Sequence, residues 1–309
     1  MKEIKVFSPA SIANLSCGYD ILGVCLDKIG DEITVRKTTK RGISIKKITG
    51  YELSNDISLN VAGLAASALL KNVKVNCGFE IDIHKGIKPG SGIGSSAASS
   101  AGTVYAINKL IGEPLSDNQL IYFASKGEIA SSGTIHADNV SAVLMGGFTF
   151  VRNSSEKDFI KLDYPNDLVF SIIHPKIEIK TKDSRSIIKN QVSLNDMIQQ
   201  SANLGALVHA LNKKDYELIE RSLDDRIIEP VRSILIPKFS EIKSSSIEAG
   251  ALGCGISGSG PSVFSLCRGM DQAKIVSKVM KKVYDKIKLD YEIHLSKVND
   301  KGIKIIDFS

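Results

Sequence analysis

Residues 90–102 read Gly-Ser-Gly-Ile-Gly-Ser-Ser-Ala-Ala-Ser-Ser-Ala-Gly, small residues interrupted by one bulky side chain, Ile93, just ahead of an apolar helical pattern. Gly90, Gly92 and Gly94 open backbone angles closed to other residues, so successive N–H groups can turn toward one ligand. A helix beginning near Ser95 adds its unsatisfied first amides and the positive end of its dipole. The run therefore reads as a cradle for a phosphate. It equally suits a helix entry packed closely on a strand, and taken alone it leaves both open. Its spacing fits neither the Gly-x-x-x-x-Gly-Lys-[Ser/Thr] loop nor the dinucleotide fingerprint, so a phosphate reading requires a third type of loop.

Two further segments have the composition of partners for such a cradle. Residues 9–23 follow a short predicted strand and place Asn14 and Asp20 among small residues. An amide and a carboxylate there could hold a polar molecule, or form an Asx turn and an ordinary loop. Residues 253–262, Gly-Cys-Gly-Ile-Ser-Gly-Ser-Gly-Pro-Ser, make a second glycine-rich turn between apolar runs, which a tight hairpin would also explain.

The chain of 309 residues, 43% hydrophobic, is long enough to bury a sizeable core and to form two domains. Its apolar stretches, such as 61–70, are amphipathic and too short to span a bilayer. The first twenty residues lack a signal-peptide pattern, so no membrane association and a cytoplasmic location are expected. Five cysteines without a Cys-x-x-Cys pair indicate reduced thiols rather than a disulfide framework or a zinc site. The net charge of +6 comes from scattered lysines, and Trp is absent. This composition suits a solvated basic surface that favours anionic small molecules, not a nucleic-acid groove.

Periodicity predicts strands at 4–7, 32–36, 43–48 and 79–83, with Val61, Leu64, Ala65, Ala68 and Leu69 at helical spacing between them. A capping box, Ser116 with Gln119, starts a helix to about Lys126, and Gly146-Gly147 break into a strand at 148–152. The polar stretch 153–166 separates two expected domains, 1–160 and 161–309. In the second, a strand at 168–174 precedes helices at 194–211 and 272–287. Ile275, Val276, Val279, Met280 and Val283 form a core stripe on the latter, and strands lie within 253–266 and at 291–297. The fold class is α+β.

Taken together, the three segments resemble the motifs of the galactokinase, homoserine kinase, mevalonate kinase and phosphomevalonate kinase (GHMP) superfamily, in order and over nearly the full length. Gly92-Ile-Gly-Ser-Ser-Ala97, with Pro89 three residues before Gly92, is similar to the superfamily's most specific motif, Pro-x-x-Gly-Leu-Gly-Ser-Ser-Ala. Within it the chain resembles the homoserine kinases. Its first motif is similar to Pro-Ala-Thr-Ser-Ala-Asn-Leu-Gly-Pro-Gly-Phe-Asp, keeping Asn14 and Asp20 and departing at Ser11, Ile12, Ser16, Cys17 and Tyr19. His136-Ala-Asp-Asn139 matches the homoserine kinase form of a segment that carries a catalytic aspartate in mevalonate kinase. Thr181-x-x-x-Arg185 and Glu229-Pro-Val-Arg232 match two arginine motifs, and Gly258-Ser-Gly-Pro-Ser262 matches the third superfamily motif.

The resemblance implies an N-terminal domain like domain 2 of ribosomal protein S5, a ferredoxin-like C-terminal domain, and an active site between them. It implies transfer of the γ-phosphoryl group of ATP to the hydroxyl of L-homoserine, with Mg²⁺, in threonine biosynthesis, by a homodimer. The nucleotide would be held by Pro89, Gly90, Ser91, Gly92, Ile93, Gly94, Ser95, Ser96, Ala97, Ala98 and Ser99, and the metal by Ser96 and Glu128. Asn60 is either an adenine contact or a helix cap. Arg185 and Arg232 would grip the substrate carboxylate, unless they are surface residues. Asp20 would take the ammonium, Asn14 the hydroxyl end, and Asn139 the γ-phosphate or the nucleophile, with Gly260 beside the substrate. His136 invites a general-base role, but the implied chemistry is direct or phosphate-assisted loss of the hydroxyl proton. A mevalonate-type kinase and a non-catalytic ligand sensor on the same fold are the alternatives. An amine partner at Asp20 and the amide at Asn139 favour homoserine.

Overall fold

A computed structural model describes residues 2–132, 136–179, 181–189 and 191–309. The first part of the chain runs β1 (Glu3–Ala13), β2 (Leu22–Thr38), β3 (Gly42–Thr49), α1 (Val61–Leu70), β4 (Gly78–His84), α2 (Ser95–Leu110), α3 (Asp117–Ser132), α4 (Asp138–Met145), β5 (Phe148–Asn153) and β6 (Asp158–Leu162). The second runs β7 (Leu168–Pro175), α5 (Thr181–Ser186), α6 (Leu194–Lys213), α7 (Tyr216–Ser222), α8 (Glu229–Arg232), α9 (Phe239–Glu248), β8 (Gly253–Ile256), β9 (Val263–Arg268), α10 (Met270–Lys286), β10 (Tyr291–Lys297) and β11 (Lys304–Phe308).

The first sheet has the order β11-β1-β2-β4-β3, with β5 on β2 and β6 on β5. Only β3 and β4 pair in parallel. The seventeen-residue β2 is long enough to serve two partners: Glu32 to Thr38 face β4, while Leu22 to Val24 face β5. Helix α2 lies flush on this sheet because its residues are small. A Cβ on Gly102 would stand 2.4 Å from Ile33 Cδ1 and 2.8 Å from Ser8 Cβ. The helix entry is thus packed closely on the sheet, one of the two readings the sequence left open, and the glycine-rich loop stands at the start of this helix. Residues 9–13 extend β1 instead of opening the loop, so Asn14 stands at the strand's end.

The second sheet is antiparallel throughout, in the order β10-β7-β9-β8. In chain order that is 4-1-3-2, the arrangement of a ferredoxin-like βαββαβ unit whose first crossover is expanded into five helices. On α10 the buried face is Val276, Met280, Val283 and Tyr284, whereas Ile275 is half exposed and lies off the stripe expected for it. The division expected at 160/161 falls inside β6, which still pairs with β5; residues 163–167 make the crossing. The chain then returns, since β11 pairs with β1 through Ile4 and Phe308. Among the described residues no helix is long and apolar enough to cross a membrane. All five cysteines are free.

Candidate active site

The loop before α2 is shaped by its neighbours as much as by its glycines. Gly92 (φ 83°) lies where a Cβ would be 2.6 Å from Gly260 O and 2.7 Å from Ser257 O. At Gly94 (φ 72°) a Cβ would be 2.1 Å from Ser11 Oγ. Larger residues fail at both on conformation and on space. The turn between β8 and β9 grips the loop from above: Ser257 Oγ donates to Gly92 O at 2.7 Å and Ser262 Oγ to Ser91 O at 2.6 Å. Gly94 is the N-cap of α2 and supplies no side-chain cap, so the first amides of the helix are left to a ligand.

A buried ion pair lies beneath the loop. The Lys85 ammonium contacts Asp31 and donates to Ser95 O at 2.9 Å and Ser99 Oγ at 2.8 Å. Asp31 also accepts from the amides of Gly86 and Ile87, both at 3.1 Å, and from Ser99 Oγ at 2.9 Å. Burial pulls the lysine pKa down and Asp31 opposes it. One carboxylate thereby ties β2, the end of β4 and the first turn of α2 together.

A cleft with about 680 Å³ of open space lies over this loop. Gly90, Gly92, Gly94, Ser95, Ser96 and Ala97 line it, together with Asn14, Asp20, Glu128, His136, Asn139, Arg185 and Arg232. Most of the residues singled out from sequence are therefore neighbours, although their numbers span more than two hundred positions. Several others turn away. Ile93 and Ala98 belong to a hydrophobic core cluster, and Ser91 is buried under the turn. Pro89 and Ser99 line an adjoining hollow with Asn60. Gly260 supports Gly92, while Gly258 and Ser259 face the cleft. Asn60 is the cap of α1: its Oδ1 accepts from Ala62 N at 2.9 Å and its Nδ2 donates to Ser54 O at 2.8 Å. That favours the cap among the two readings, while Asn60 still lines the adjoining hollow with one Nδ2 hydrogen beyond its bond to Ser54.

At the far end of the cleft, charge is concentrated. Asn14 (φ 75°) staples its loop, accepting from Asp20 N at 3.1 Å and donating to Gly258 O at 2.8 Å. Arg185 Nη2 donates to Asp20 Oδ1 at 2.7 Å and to His136 Nδ1 at 3.0 Å. Since Nδ1 accepts, Nε2 carries the imidazole proton. Burial, opposed by Asp20, lowers the pKa of His136 and keeps it neutral. The Nε of Arg185 is buried without a hydrogen-bond partner among the described residues; the side chain of Thr181, in the same motif, lies outside them. Arg232 is buried, donating to Ser184 O, Gly258 O and Tyr19 Oη. Among the described residues no carboxylate pairs with it within 4 Å, a costly arrangement unless an anion completes it.

Sequence reasoning missed three residues that the fold brings here. Asp138 is buried in the cleft wall, and its carboxyl pKa is pushed up to about 7, chiefly by burial and then by Asp20. Its signal lies in His136-Ala-Asp-Asn139, next to the amide that carries the motif match. Tyr19 was registered only as a departure from a motif. Asp225 gave no local signal, yet its carboxylate accepts from the amides of Ile227, Ile228 and Glu229 and so caps the short helix that carries Arg232. Asn139, at the start of α4, accepts from Ser11 Oγ at 2.8 Å through Oδ1.

Known proteins match this chain over its whole length. Residues 60–147 match the family described as GHMP kinases N terminal domain, and residues 207–286 match GHMP kinases C terminal. The chain is 37% identical to a homoserine kinase of Chloroherpeton thalassium, over 99% of this chain and 100% of that one. It is 34% identical to a homoserine kinase of Pyrococcus abyssi, over 95% and 96%. The crystal structure of homoserine kinase from Cytophaga hutchinsonii superposes with a TM-score of 0.95 at 43% identity, covering 99% of this chain and 98% of that one. Mevalonate kinase of L. major shares the fold, with a TM-score of 0.69 at 16% identity over 95% and 96%.

Proposed function

The chain belongs to the homoserine kinase family of GHMP kinases, ATP-dependent phosphotransferases acting on an alcohol, and on that footing we propose how its cleft carries out the transfer. The substrate hydroxyl of L-homoserine attacks the γ-phosphorus of ATP, the bond to the bridging oxygen of ADP breaks, and O-phospho-L-homoserine leaves. One observation carries the assignment of parts: Arg185 and Arg232 converge on the same cleft as the amides of Gly90 to Ala97. An amino acid whose carboxylate meets the arginines can then present its hydroxyl toward a phosphate in the loop.

Each end of the substrate has a partner by charge. Arg232 uses three of its five N–H donors on the protein, leaving two for a carboxylate. Asp20 already pairs with Arg185, and Asp138, its pKa pushed up to about 7, gains a cationic partner when the substrate ammonium enters beside the two carboxylates. Ser95, Ser96, Ala97 and the loop amides hold the phosphates. The adjoining hollow, with Leu53, Leu59 and Pro89 in its wall, accepts the base, which accounts for the 70% exposure of Leu59.

The donor set fits a magnesium ion, because this hard cation takes one or two protein oxygens beside phosphate and water, and Ser96 and Glu128 face the cleft together. Bound there, Mg²⁺ would neutralise charge on the phosphates. Asn139, whose Oδ1 is committed to Ser11, turns its Nδ2 donor to the reacting groups. His136 Nδ1 accepts from Arg185, an amide is no base, and Asp20, Asp138 and Glu128 are assigned to the ammonium and the metal, so in this reading the hydroxyl proton leaves with the phosphoryl oxygens. Five free cysteines support a reducing, cytoplasmic setting. A homodimer is carried over from the family and is tested by light scattering.

The test is ADP release with L-homoserine, mevalonate and shikimate at matched concentrations. Homoserine is expected to dominate kcat/KM. Faster turnover of mevalonate, or binding of ATP and homoserine without ADP release, overturns the reading.

A further inference from the structure

Tyr19 stands where the family form of the first motif has Phe, so its hydroxyl is a feature of this chain and not of the shared motif. Its ring and its hydroxyl both engage the arginines of the cleft. The guanidinium carbon of Arg185 lies over the ring 5.4 Å from its centroid, and that of Arg232 lies 5.0 Å away. The phenol oxygen is 3.3 Å from Arg232 Nη2. Two cations brought to one buried place repel each other, and the negative face of an aromatic ring offsets part of that repulsion. Asp20 serves Arg185, whereas among the described residues the hydrogen-bond partners of Arg232 are neutral: Ser184 O, Gly258 O and the phenol. The first two hold Nε and Nη1. Among the described residues the phenol alone holds Nη2, the nitrogen at the other tip of the fork.

We propose that Tyr19 is a positioning residue for substrate specificity: its ring keeps the two guanidinium groups together, and its hydroxyl fixes the plane in which Arg232 meets the substrate carboxylate. The proposal rests on the homoserine reading of the cleft. With Nη2 tethered, the two uncommitted N–H groups of Arg232 present a fixed pair for a carboxylate. Without the tether the fork can rotate about its Nε and Nη1 anchors. The loop bearing Tyr19 is itself held, since Gln200 Nε2 donates to Cys17 O at 3.0 Å, so the phenol has a firm base from which to act. The ring and hydroxyl of Tyr19 engage the two arginines and not the phosphate loop, so its effect is expected on homoserine and not on ATP.

The experiment measures steady-state constants of the full chain carrying Tyr19→Phe, Tyr19→Leu, Arg232→Lys and the Tyr19→Phe/Arg232→Lys pair, with thermal melting of each. Tyr19→Phe is expected to raise the homoserine KM about 3- to 10-fold, as for the loss of one ordinary hydrogen bond, and Tyr19→Leu further, with the ATP KM changed less than about twofold. In Arg232→Lys the added Tyr19→Phe change should cost almost nothing, because the group through which it acts is gone. Equal rises in both KM values, or full additivity of the pair, would overturn the proposal, as would a wild-type homoserine KM in Tyr19→Phe. If Tyr19→Leu fails to fold, the conservative Phe variant decides alone. A wild-type enzyme that does not phosphorylate homoserine sinks the functional reading and this proposal with it, whereas an active wild type with an unaltered Phe variant sinks only the latter.

Discussion

Arg185 donates to Asp20 at 2.7 Å, so the two groups assigned to opposite ends of the amino-acid substrate hold one another. A zwitterion can replace each of them for the other: its carboxylate takes the guanidinium while its ammonium takes the carboxylate. The internal pair keeps both charges compensated and costs the site less than two isolated buried ions would. A ligand with only one of the two charges would leave one member unpaired.

Asp20→Asn should therefore raise the homoserine KM on the order of 100-fold, the scale of breaking a partly buried charge pair, and leave the ATP KM within about twofold. Steady-state kinetics with each substrate varied separately check it. A parallel rise in the ATP KM would point to collapse of the cleft instead.

Asp138 sets an expected pH dependence. Its folded pKa of about 7 lies above the ordinary 3.8, so the native state holds a proton between those values that the unfolded chain releases. Its contribution to stability is full below about pH 4 and is lost as pH rises through 7. Binding the substrate ammonium requires the ionised form, so kcat/KM for homoserine should fall about tenfold per pH unit below 7. Calorimetry in buffers of different ionisation enthalpy should register proton release on homoserine binding, and Asp138→Asn should abolish it.

His136→Ala is expected to lower turnover by no more than about tenfold, since the imidazole orients Arg185 and does not take the proton. Glu128→Gln should lower it about 100-fold or more and raise the Mg²⁺ concentration needed for half-maximal rate. Comparable losses in the two variants, measured by coupled ADP release, would return the base role to His136.

Gly94→Ala places a Cβ 2.1 Å from Ser11 Oγ and 3.2 Å from Asn139 Oδ1 at a φ of 72°. The resulting shift of the loop and of Asn139 should reduce kcat/KM for ATP about 100-fold. Nucleotide binding followed by fluorescence separates a lost cradle from lost chemistry.

Asp31→Asn leaves the Lys85 ammonium unpaired in the core and should destabilise the fold by about 3–5 kcal/mol, with a rise in the ATP KM from a loosened loop. Asp31→Leu with Lys85→Met should recover most of the stability in urea unfolding. If the double variant also recovers the ATP KM, burial alone shaped the loop.

Much of the site could be read from the sequence because its parts are local. Glycines at 90, 92 and 94, a helix start at Ser95 and the small residues behind it depend on spacing along the chain. Asn60 illustrates where that reading divided, since a cap and a ligand contact use the same side chain and only the positions of Ala62 N and Ser54 O decide between them. Asp31 and Asp225 stood out by no pattern, because a carboxylate that caps or pairs across the fold looks like any other until its partners arrive. The late strand β11 was missed for the same reason: Lys304 to Phe308 is mostly apolar yet exposed at a sheet edge, and its pairing partner lies at the other terminus.

Sequence by itself determined the chemistry on offer: amides without side chains for phosphate, forked cations for a carboxylate, and carboxylates for an ammonium. Backbone conformation and residue type are properties of a few neighbouring positions, so they survive being read in one dimension. Tertiary structure alone decided that Arg232 would be buried with no carboxylate of its own among the described residues, that Arg185 would rest on Asp20, and that burial, aided by Asp20, would hold the proton of Asp138 near neutrality. Burial and charge–charge coupling depend on distances through space, and those exist only after β1, α2, α4, α5 and the turn between β8 and β9 have packed around one cleft.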